Sequence, residues 1–129
     1  MKKLILLFTF VLWCAPVTFA QETTLRTRVE TLFNSFAPGK IEISIDTFAR
    51  NSLIPTPSVD ELKAQTRLFL KPENKILGYE FLGEQNTGQS IKRLTYILKT
   101  AERPLMWTFT FYKPESEWVL WRMILSDDF

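Results

Sequence analysis

Four runs rich in aromatic and β-branched residues, Gly78 to Glu84, Ser90 to Lys99, Leu105 to Lys113 and Trp118 to Ser126, fill the second half of the chain. Runs of this composition, separated by stretches containing Gly, Pro and Asn, read as strands. The segments between them are short, and connections of about five residues cannot carry the crossover that a parallel pair requires. The strands are therefore expected to form an antiparallel meander. On the third run Trp107, Phe109 and Phe111 alternate with Thr108, Thr110 and Tyr112, which marks the buried face. If the fourth run keeps a strict alternation, Val119, Trp121, Met123 and Leu125 join that face and Trp118, Leu120, Arg122 and Ile124 lie behind it. A rear face so drawn is too apolar for open water and predicts a cover or a partner.

The first half has the period of helices. Leu25, Val29, Leu32, Phe33 and Phe36 fall on one helical stripe, which Pro38 and Gly39 stop. Residues 41 to 46 alternate between apolar and polar like a strand, whereas Ile41, Ile45, Phe48 and Ala49 make a helical stripe that leaves Ile43 unexplained. Periodicity alone leaves both readings open. Ser58 to Glu61 has the form of a capping box, predicting a further helix from about Val59 to Leu70 that stops before Pro72.

Lys2 and Lys3 precede an uncharged, largely apolar stretch from Leu4 to Gln21, with Pro16 near its end and the small Ala20 before Gln21. This is the order of a cleavable secretory signal. We expect residues 1–20 to be a signal peptide, residues 21–129 a single domain, and the location periplasmic or secreted. Thr9, Pro16 and Thr18 suit a spanning helix poorly, so no stable membrane span is expected after processing. Trp13 is too large for the site that lipoprotein processing at Cys14 resembles.

The whole chain has 16 Lys and Arg against 14 Asp and Glu, but the leader carries two of the lysines and no acid, so residues 21–129 are balanced. Balance argues against nucleic acid as a partner, because backbone binding needs a surplus of cations. Cys14 is the only cysteine and the chain has no histidine. Residues 21–129 thus have no disulfide, thiol nucleophile, imidazole base or zinc site of the usual kind, and no metal is expected. The glycines all have turn or bulge explanations, so no cofactor is expected either.

Three helices followed by a four-stranded meander is the layout of an α+β roll. The order of elements is joined by Gly78-Tyr79-Glu80-Phe81, Arg93-Leu94-Thr95-Tyr96, Pro104-Leu105-Met106-Trp107 with Phe111-Tyr112-Lys113, Trp118-Val119-Leu120 and Asp127-Asp128. In these features residues 21–129 resemble small exported bacterial proteins of the nuclear transport factor 2-like (cystatin-like cone) group. The resemblance implies a curved sheet carrying three N-terminal helices, and it implies a helix over residues 41–50. The group includes isomerases, dehydratases, carrier pockets and docking modules, so fold alone selects none of them.

Enzymes of similar fold mostly use a His/Asp pair, or a Tyr with acidic partners, inside the cone. This chain lacks histidine, and its expected inward positions do not titrate. Asp127 and Asp128 are adjacent strand residues that point to opposite faces and cannot converge on one substrate. Arg93 and Arg122 are suited either to surface ion pairs or to holding a carboxylate, that of a partner or of Glu80.

Two readings follow. The favoured one is an exported non-enzymatic binding or interaction module. It would hold a small apolar ligand in a cone lined by Tyr79, Tyr96, Trp107, Phe109 and Trp121, or associate through Trp118, Leu120, Arg122 and Ile124 as a homodimer or with another envelope protein. The alternative is a lyase- or isomerase-like enzyme using an acidic residue and a Tyr. A carboxylate of Glu80, Glu84 or Asp46 beside Tyr79 or Tyr96 would favour the enzyme.

Overall fold

A computed structural model describes the backbone of residues 17–129 and the side chains of residues 24–129. Most of the expected signal peptide lies outside the described residues. Three helices, α1 (Val17–Asn34), α2 (Ile41–Ala49) and α3 (Thr56–Phe69), precede four strands, β1 (Ile76–Thr87), β2 (Ile91–Thr100), β3 (Pro104–Tyr112) and β4 (Val119–Ser126). The strands form one antiparallel sheet in the order β1-β2-β3-β4. This is the expected α+β meander. Among the described residues no helix is long and apolar enough to cross a membrane.

The stripe on α1 buries Leu25, Val29, Leu32 and Phe33 against the inner face of the sheet. Phe33 is its centre, with ring centroids 5.5 Å from Tyr79, 5.4 Å from Tyr96, 6.0 Å from Trp107 and 5.7 Å from Phe109. One side chain thus bridges three strands. The chain then turns through Pro38-Gly39, closed by the Lys40 N–H donating to the Ala37 carbonyl at 2.9 Å. Gly39 sits at φ +77°, where a side chain would be strained.

Residues 41–49 are helical despite their alternation. Ile45 and Ala49 are buried, and Phe48 meets Phe109 edge-on at 5.7 Å. Ser44 and Thr47 donate their hydroxyls back to the Lys40 and Ile43 carbonyls, which lets polar and β-branched residues sit within a helix. The cost is Ile43, left 65% exposed. Ion pairs Lys63–Asp46 and Arg67–Glu42 tie α3 to α2.

The expected capping box does not form. Helix α3 starts earlier, with Pro55 as its N-cap and Pro57 in the first turn, and the Ser58 N–H already donates to the Pro55 carbonyl. A proline in the first turn presets the helical φ there, so the start moves upstream and Ser58 is not in the cap position.

Three register shifts shape the sheet: at Leu77 and Leu82 in β1, and at Trp121 in β4, where Phe111 pairs with Leu120 but Thr110 pairs with Arg122. Each is a β-bulge, an extra residue that increases twist and breaks the alternation of faces. In β4 the break reverses parity. Leu120 is therefore core at 1% exposure, while Trp121 and Ile124 are exposed at 42% and 45%. The Leu53 N–H holds Leu120 in place by donating to its carbonyl at 2.8 Å.

Candidate interaction surface

Four of the five residues expected to line a ligand pocket come together on the inner face. Tyr96, Trp107 and Phe109 are fully buried and Tyr79 is half-buried. They pack on each other and on Phe33, with Trp107 and Phe109 stacked at 6.0 Å and Tyr79 stacked on Phe33. The rings occupy the interior themselves. Trp121 is not among them, because the bulge turns it to the opposite face.

The Tyr96 hydroxyl is buried and closes no well-formed hydrogen bond, although the Arg26 guanidinium is near enough to act on it; the Trp107 indole N–H is buried without a partner. Burial raises the Tyr96 phenol above the usual tyrosine pKa, while the nearby Arg26 guanidinium pulls the other way. Arg26 lies over the Phe81 ring at 3.9 Å and faces Glu30 one turn along α1 at 3.6 Å. Glu30 is thus the carboxylate whose charge reaches Tyr96, and sequence reading missed it because the link runs from helix to sheet. Of the acids expected to matter, Glu84 faces inward but is held by Lys92 Nζ at 3.1 Å, Asp46 pairs with Lys63, and Glu80 is exposed. None of them sits as a free base beside a tyrosine.

The four expected interface residues are split. Leu120 is core, as above. Trp118 is half-buried against the core, its ring flanked by the Lys92 and Lys113 ammonium groups at 5.5 and 5.0 Å. Arg122 and Ile124 do lie on the outer face, beside Thr110 and Thr108 of β3.

The strand pairing defines that outer face. Three rows cross it: Glu80, Ile97, Met106, Ser126; then Gly83, Thr95, Thr108, Ile124; then Gln85, Arg93, Thr110, Arg122. The bulges add to it. Their extra residues are all large, apolar and exposed, Leu77 at 62%, Leu82 at 48% and Trp121 at 42%. Arg122 stacks its guanidinium over Trp121 at 4.9 Å, and Arg93 donates to the Gln85 side-chain oxygen at 3.4 Å rather than pairing with Glu80. Thr110 is buried although it points outward. Asp127 pairs with Arg103 at 3.2 Å, away from Asp128. No protein-family model, curated protein or solved structure matches the chain.

Proposed function

We propose that this chain is an exported, non-enzymatic interaction module of the nuclear transport factor 2-like cone type, and that its partner is a second copy of itself bound through the outer face of the sheet. The observation that carries the reading is the content of the bulges. A bulge re-aims side chains, and all three here add a large exposed apolar residue where a solvated sheet would carry polar ones. A packed interior and the engagement of Glu84 by Lys92 support binding over acid–base catalysis.

Charge placement favours a second copy. A two-fold axis along the strands, between β2 and β3, lays β1 of one copy over β4 of the other. Row by row it sets Glu80 against Ser126, Ile97 against Met106, Gly83 with the neighbouring bulged Leu82 against Ile124, Thr95 against Thr108, Gln85 against Arg122 and Arg93 against Thr110. Ile97 and Met106 face each other, Ile124 falls beside the Leu82 bulge, and neither arginine meets an arginine.

Light scattering of residues 21–129 at micromolar concentration is expected to give twice the monomer mass, and Ile124→Arg to return it to one. A monomer at every concentration, or an Ile124→Arg protein that stays dimeric, would refute association through this face.

A further inference from the structure

A second surface has different chemistry. Between α1 and α2 opens a cleft of ≈ 530 Å³, within the range of small-molecule sites. Its floor is apolar, formed by Phe48 and Leu120. Its walls are polar: Thr27 and Thr31 on one side, Thr47, Asn51 and Ser52 on the other. Arg28 stands at its end and also lines an adjoining cleft of ≈ 310 Å³ with Ser116 and Trp118.

The donors and acceptors in this cleft are sorted by the local backbone. Thr31 and Thr47 donate their hydroxyl protons to the Thr27 and Ile43 carbonyls at 2.7 and 2.9 Å. Each oxygen keeps its lone pairs, so both present acceptors. Ser52 Oγ accepts from the Ile54 N–H at 3.2 Å and keeps its proton to donate. Arg28 is the strong donor. Its guanidinium rests over the Phe111 ring at 5.2 Å and makes one long hydrogen bond, 3.4 Å, to the Trp118 carbonyl. No carboxylate among the described residues pairs with it, although partial burial already disfavours its charge. A guanidinium has five N–H donors in a fork that matches a carboxylate, so four remain for a ligand.

We infer that this cleft binds a small hydroxylated carboxylate of the sugar-acid class, its carboxylate on Arg28, its hydroxyls donating to Thr31 and Thr47, and its apolar ring face on Phe48 and Leu120. An alkyl carboxylate would leave the wall oxygens unmatched, and a neutral sugar would leave Arg28 unmatched. The site shares no exposed residue with the outer sheet face, so it stands or falls apart from the dimer.

The test is a titration of isotope-labelled protein with D-glucuronate, followed by amide NMR, with glucose and acetate in parallel. Glucuronate is expected to saturate with a Kd of about 1 mM or tighter and to shift the amides of Thr31, Thr47 and Phe48. Arg28→Gln should weaken it about tenfold or more, the loss expected for a charge-assisted pair. Thr31→Val, nearly isosteric, should weaken it several-fold while leaving the spectrum folded. Arg122→Gln, on the outer face, should leave it unchanged. A uronic-acid trimer binding more tightly than the monomer would place the acid in a polysaccharide, and equal binding would make it the free acid. No saturation by glucuronate, equal binding of glucose or acetate, or an Arg28→Gln protein that binds as before would overturn the assignment.

Discussion

Leu120 and Ile124 have the same parity in β4, so on an unbroken strand alanine at either should cost about the same. The bulge at Trp121 makes them unequal. Leu120 is 1% exposed, below the α2–α3 connection that hydrogen-bonds its carbonyl. Its truncation loses the transfer energy of a buried side chain and leaves a cavity that rigid neighbours fill poorly, about 3 to 5 kcal/mol in all. Ile124 is 45% exposed, so roughly half of the ~1.5–3 kcal/mol for full burial is already forgone, and its truncation should cost about 1 kcal/mol or less. Urea denaturation followed by tryptophan fluorescence reads both. With a slope of about 1–3 kcal/mol per molar, Leu120→Ala should lower the midpoint by at least ~1 M and Ile124→Ala by a fraction of that. Running each at two protein concentrations separates the core loss from any loss of association, since only the latter makes the midpoint concentration-dependent. Equal losses, or a larger loss at Ile124, would refute the bulge and restore a strict alternation.

Tyr96→Phe should be neutral or stabilising at neutral pH, because it removes a buried hydroxyl that makes no well-formed hydrogen bond, a group costing about 1–3 kcal/mol. The folded protein holds the phenolic proton to higher pH than the unfolded chain, so stability is full below about pH 10 and falls as pH rises from there through the folded pKa. Chemical denaturation from pH 8 upward should show that loss in the wild type and a smaller one in Tyr96→Phe; a destabilised variant at pH 8 would mean the hydroxyl is bonded. Intact mass of the protein exported from a bacterial host should correspond to residues 21–129, and recovery of Met1 to Ala20 still attached in a membrane fraction would contradict export as a processed domain.

The parts of this protein that depend on local rules are legible in the order of its residues. Short loops forced neighbouring strands to be antiparallel, the Trp107-Phe109-Phe111 alternation named the buried face of β3, and the Leu25-to-Phe33 stripe named the packed face of α1. Helix α2 was legible only in part, because its residues satisfy two periods at once; burial of Ile45, Phe48 and Ala49 against α3 and β3 outweighed the exposure of Ile43. The features that depend on packing lie at the bulges and between elements. One extra residue at Trp121 moved Leu120 into the core and Trp121 out of it, exchanging a predicted pocket residue with a predicted interface residue. Nothing in the composition of β4 marks that insertion, since it is set by the partner strand and by the Leu53 hydrogen bond from a distant loop. Arg28 and the threonines around it are likewise ordinary surface residues when read along the chain, and only the approach of α2 and β4 to α1 gathers them around one cleft.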